Sequence, residues 1–156
     1  MQRFIVLLAA AAALSVPAAQ AAPAAQGPGG FVVWELRQIG AGRWPQLWTR
    51  IHPAQRKHVK QLIYVGCNAQ IASNWSFVDI KVTAVKTVRT TVPRTTVRNA
   101  AARAVTVRMS LRNVDGRTTT EKQTVSVFHV GGVWYSALTA VQYRAYKAGK
   151  CLVPSG

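Results

Sequence analysis

The chain has 156 residues, with 20 Lys and Arg against four Asp and Glu, for a formal charge of +16 at pH 7. Without its first residues that length is one domain's worth of chain, enough for a single core. Such a charge favours anionic partners such as cell-wall polymers, phospholipid head groups or nucleic acid. The basic residues are spread rather than blocked, so a merely solvated cationic surface is the plain alternative.

The chain begins with a short basic start, Met1-Gln2-Arg3, and an apolar run over residues 4–14. Ala19-Gln20-Ala21 then has the small-x-small form of a cleavage site. Residues 1–21 are therefore expected to be a signal peptide. The run is short for a bilayer span, so the mature protein is expected to be secreted or extracytoplasmic and not an integral membrane protein. Residues 22–30, made of Ala, Pro, Gly and Gln without charge, are expected to form a flexible spacer. Residues 31–156 are expected to form a single domain. Cys67 and Cys151 are the two cysteines, and in an exported chain such a pair is most simply one disulfide. A redox pair would want Cys-x-x-Cys spacing and a metal site a clustered third ligand; neither occurs.

In chain order, Val32, Val33, Leu36, Ile39 and Gly40 recur at helical spacing. Trp44-Pro45 opens a second short helix with Trp44, Leu47, Trp48 and Ile51 on one side. A third helix is expected from Pro53 to about Val65, burying Val59, Leu62 and Ile63, with Cys67 just past its end. After a polar connector, Val78, Ile80 and Val82 alternate with polar residues. The apolar parity then slips to Val85 and again at Val88, so this strand is expected to be bulged twice and bent. Pro93 closes it, and residues 87–103 are expected to be an exposed strand end and loop.

Val105, Val107, Met109 and Leu111 alternate with Thr106, Arg108, Ser110 and Arg112, the period of a half-buried strand. A strict two-residue turn at Asp115-Gly116 would put Val105 opposite Ser126, on the wrong face. A three-residue loop ending in a left-handed Gly116 restores parity, so a type I turn with a glycine bulge is expected. Gly131-Gly132 reads as a two-residue hairpin, pairing His129 with Trp134 and Val125 with Leu138. Residues 139–146 continue the last strand or form a helical turn. The fold class is α+β: about four antiparallel strands in a curved sheet, with three N-terminal helices on its concave face.

Arg43-Trp44, Trp48, Ile51-His52-Pro53-Ala54-Gln55-Arg56, Tyr64 and Cys67 together resemble small secreted bacterial proteins of the nuclear transport factor 2-like superfamily. So does the ending, with Gly131-Gly132-Val133-Trp134-Tyr135, Tyr143 and Gly149-Lys150-Cys151. The resemblance implies a cone-shaped fold in which helices and a strongly curved sheet enclose a pocket. In that superfamily the pocket is a ligand site, an active site or only a core, so function stays open.

The acids Glu35, Asp79, Asp115 and Glu121 are not spaced as a catalytic pair. Glu35 could face either way, but it follows Trp34 on the outer side of the first helix. His129 shares a face with Val127 and Trp134, and could bond a ligand or act as a base inside the pocket. The candidate pocket residues are His129, Trp134, Trp48 and Met109. The histidines are not spaced for metal, and no cofactor is implied. Lys86, Arg89, Arg94, Arg98, Arg103, Arg108, Arg112 and Lys122 are expected to gather into one basic patch on the outer sheet. The leading expectation is a secreted, non-catalytic binding module with a cavity for a small molecule and a cationic exterior. The alternatives are an envelope-surface protein holding anionic polymers, and a pocket enzyme using His129.

Overall fold

A computed structural model describes residues 27–70 and 75–152. The order is α1 (Pro28–Gly40), α2 (Trp44–Thr49), α3 (Pro53–Arg56), α4 (Gln61–Gln70), β1 (Trp75–Thr90), β2 (Ala100–Asn113), β3 (Thr118–Val130), β4 (Val133–Ser136) and α5 (Ala140–Lys147). The strands form one open antiparallel sheet in the order β1-β2-β3-β4. The expected signal peptide lies outside the described residues.

The first helix starts earlier than its apolar pattern suggests. Pro28, Gly29 and Gly30, expected in a spacer, form its first turn. Proline at that position forfeits a donor that has no partner in a first turn. Gly29 lets the helix approach β1, since a Cβ there would stand 3.3 Å from the Val82 side chain.

The third expected helix is divided. Residues 57–60 interrupt it, and the helical phase restarts at Gln61. α4 therefore buries Tyr64, Cys67 and Asn68, while Leu62, expected inside, is 80 % exposed. Cys67 lies within α4 rather than past its end and is bonded to Cys151, 84 residues away.

Turn chemistry sets the register of the long strands. Gly116 takes φ +80°, and its N–H donates to the Asn113 carbonyl at 3.0 Å. Asn113 and Arg117 then close the ladder. This three-residue loop places Val105 opposite Val125 and Val107 opposite Gln123. Gly131 and Gly132 are both left-handed, at φ +56° and +79°, and His129 faces Trp134 across that hairpin. Val125 does not meet Leu138, because β4 ends at Ser136. The Leu138 N–H turns instead to the Gln55 side chain, at 2.8 Å.

β1 has its two register shifts between Phe77 and Asp79 and between Val82 and Ala84. The second accounts for the slip to Val85. The other lies at Val78, which is squeezed outward and 52 % exposed, and not between Val85 and Val88. Val88 stays in register on the opposite face and packs there with Val92, Ala102 and Phe128.

α1 covers the other face, where Phe31 and Val32 pack on Val105, Val107, Met109 and Val127, with Val125 and Trp134 beside them. A separate cluster around Leu47, Ile51, Tyr64, Leu138, Tyr143 and Tyr146 joins α2, α4 and α5. The chain at Ile51 bridges Ser136 in parallel, with His52 N–H to Ser136 O at 2.7 Å and Ser136 N–H to Arg50 O at 3.0 Å. That extra rung fixes the short helices to the margin of the sheet.

Candidate functional site

β4 is four residues long and pairs with β3 only from Val127 to Val130. Gln123, Thr124, Val125 and Ser126 of β3 therefore have no β4 partner, and all four line a cavity of about 510 Å³. Four consecutive strand residues point to alternate faces, so they can share one cavity only at a strand margin. α1 supplies the roof with Val32, Glu35, Leu36 and Ile39, and Trp44, Tyr64 and Ser136 complete the wall.

Glu35 belongs to this wall and not to the outside of the helix. It stands three residues after Val32 and four before Ile39, inside the apolar stripe. Burial pushes its carboxyl up to about 7, with a hydrogen bond from the Ser136 side chain acting in the opposite direction. Its proton is therefore held to higher pH than that of an exposed glutamate, and the protonated carboxyl can donate as well as accept. Tyr64 lies near enough for burial first, and the charges of Glu35 and Tyr146 second, to hold its phenol well above the ordinary range. Asn68 organises this end: its Nδ2 donates to Tyr64 O at 2.7 Å, and its Oδ1 accepts from Tyr146 OH at 3.4 Å.

The four pocket candidates read from the sequence are not in that wall. His129 pairs with Trp134, ring centroids 4.6 Å apart, and is exposed, outside the residues that line the cavity. Trp134 is half-buried and packs against the cluster beneath α1, and Met109 is buried in the same cluster. Trp48 belongs to the helical cluster: its indole N–H donates to Val59 O at 3.3 Å, and the Arg56 guanidinium lies 5.5 Å over its ring. For Trp134, Met109 and Trp48, periodicity identified a buried face, and close packing occupied it.

The expected basic patch divides. Arg108 pairs directly with Lys122 on one side and Lys81 on the other. Lys86 and Arg112 share that face by strand alternation. Arg89 and Arg103 project from the opposite face: Arg103 Nη1 donates to the Thr87 hydroxyl, and Arg89 Nε to Asn99 Oδ1 at 3.0 Å. Arg94 and Arg98 lie on the 91–99 loop and line a second cavity, of about 410 Å³, with Lys57, His58 and Lys147. The sequence reading singled out none of Lys57, His58 or Lys147 for a site.

Among the described residues, no group of three or more His, Cys, Asp or Glu could hold a metal ion, and no helix is long and apolar enough to cross a membrane. No protein-family model and no curated protein matches the chain.

Proposed function

We propose that the mature chain is a secreted binding module of nuclear transport factor 2-like architecture, whose cone holds a small molecule with both apolar and hydrogen-bonding parts. The observation that carries this is the cavity of about 510 Å³ at the unpaired margin of β3. Its size falls among ordinary small-molecule sites, which pair apolar walls with a few placed polar groups. Val32, Leu36, Ile39, Val107 and Val125 supply the apolar part of the wall, and Glu35, Tyr64, Asn68 and Ser136, with the Gln123, Thr124 and Ser126 segment of β3, supply a polar part of similar extent. A neutral Glu35 carboxyl suits a ligand carbonyl or hydroxyl and spares an apolar ligand a buried charge. The disulfide agrees with an oxidising, extracytoplasmic setting.

The test uses N-phenyl-1-naphthylamine, an uncharged apolar probe whose fluorescence rises on leaving water. It is expected to bind saturably to the wild-type chain and at least tenfold more weakly to Val125→Trp, which fills the chamber. The variant's unfolding midpoint is followed in parallel to show that it folds. Equal binding by a folded Val125→Trp would place the probe elsewhere and refute the reading.

A second reading rests on the sheet. Lys81, Arg108 and Lys122 are directly opposed across three strands. Such like-charge pairs cost stability, a cost that an anionic polymer lying across that face would offset. Binding to a teichoic or heparin-like polymer is then expected to fall steeply between low and moderate salt. Salt-independent affinity counts against it.

A further inference from the structure

The second cavity lies outside the chamber described above, and its chemistry is of another kind. Three separate pieces of chain line it: α3 with the turn after it, the 91–99 loop, and the last turns of α5. They bring four fixed cationic side chains, Lys57, Arg94, Arg98 and Lys147, together with His58 and the Thr96 hydroxyl, around about 410 Å³. Among the described residues, no carboxylate lines the space. Asp79 and Glu121 pair with Ser110 and Met109, roughly 30 Å along β2 from the end where this loop joins it. Asp115 lies further still, in the turn beyond β2, and Glu35 faces the other chamber.

The cations are mounted on a braced frame. Gln55 sits between the three pieces with no exposed surface. Its Nε2 donates to Pro93 O at 2.9 Å and to Leu138 O at 3.0 Å, and its Oε1 accepts from Leu138 N at 2.8 Å. One amide thus ties α3 to the residue before Arg94 and to the residue before the Thr139 cap of α5. Within the loop, the Thr95 hydroxyl donates to Val92 O and accepts from Val97 N, while Arg98 Nη1 donates to Thr95 O at 2.6 Å. Arg94 is held left-handed at φ +60°, a conformation that residues other than glycine rarely adopt. On the third side, the Lys147 ammonium lies 5.9 Å from the Tyr143 ring centroid.

From this juxtaposition we infer that the cavity between α3, α5 and the 91–99 loop is a binding site for a short, multiply charged phosphate chain, free or carried on a small molecule. Guanidinium groups match phosphate oxygens as planar forks, while lysines add point charges and a hydroxyl adds a further donor. A chain of two or three phosphates matches four cations in charge. A lone orthophosphate can face only part of them. An extended phosphodiester polymer, with one charge per unit, suits a flat basic face better than this recess.

The test titrates the full chain with inorganic tripolyphosphate by calorimetry at fixed, moderate salt. Binding is expected to be saturable at one equivalent, and at least tenfold tighter than for orthophosphate or for a single-stranded DNA of equal total charge. The double variant Lys57→Gln/Arg94→Asn is expected to weaken it at least tenfold. Asparagine accepts the left-handed backbone at position 94, so the variant should fold, which its unfolding midpoint checks. Arg37→Gln/Arg117→Gln, with the same loss of charge at exposed residues outside the cavity lining, is expected to change affinity less than twofold. Equal weakening by the two double variants would show diffuse attraction to net charge and overturn the assignment. So would DNA binding as tightly as tripolyphosphate, or no saturable binding at all.

Discussion

Replacing Gln55 by Met removes three hydrogen bonds while nearly preserving volume, so the loss comes mainly from orphaned backbone groups and little from a cavity. Both bonds to Leu138 are buried, and the one to Pro93 O is partly buried. A buried group left without its partner costs about 1–3 kcal/mol, and the partly wet carbonyl about 1. The sum is about 4 kcal/mol, a large share of the roughly 5–15 kcal/mol that holds a domain together. With a urea slope of about 2 kcal/mol per molar, the midpoint should fall by roughly 2 M at unchanged slope. Gln55→Glu adds a second arm. Its carboxylate would face two carbonyl oxygens, so its folded pKa is raised above its unfolded value. Stability is then fullest at acid pH and declines as pH rises through that window. A loss below about 1 kcal/mol for Gln55→Met, with no pH dependence for Gln55→Glu, would mean that water satisfies these groups and that the frame is not braced as described.

Three further outcomes follow from the same structure. The Glu35 carboxyl keeps its proton in the folded chain up to about 7, against an ordinary value of 4.5, so its stabilisation is present below 4.5 and lost as pH rises to about 7. Glu35→Gln should therefore match wild type near pH 4.5 and exceed it at pH 8, by up to the order of 3 kcal/mol in urea titrations. Cys151→Ser opens a link between residues 84 apart, and thermal unfolding should show a loss of roughly 4.5 kcal/mol by the chain-entropy relation. Gly116→Val forces a β-branched residue to φ +80°; it should cost about 1–2 kcal/mol and leave the cavities unchanged, as read by denaturant midpoint and probe binding.

The register of the long strands was legible because parity has only two values. Val105 and Val125 can share a face only if the turn holds an odd number of residues, and Gly116 is placed to allow it. The paired cysteines left little choice of bond. Glu35 was missed because the first helix was read through its apolar residues alone, although its spacing from Val32 and Ile39 placed it in the stripe. The division of the basic patch was also open to inspection: Arg103 shares parity with Val105, and Arg108 does not. His129 could not be settled locally, since alternation assigns a face but not how far the covering helix extends. Leu62 failed because the turn over residues 57–60 resets the helical phase. The cationic cavity left no local trace, since it joins Lys57, Arg94 and Lys147 through the side chain of Gln55.

The account depends most on an acid group enclosed between α1 and the sheet. Glu35 and Glu121 are the two glutamates of the chain, so labelling glutamate side-chain carboxyls with carbon-13 gives two resonances, told apart by Glu35→Gln. The Glu35 resonance is predicted to titrate with a midpoint at about 7, and to move when N-phenyl-1-naphthylamine is added. A midpoint in the ordinary glutamate range, near 4.3, with no response to the probe, would place that carboxyl in water and contradict the chamber itself.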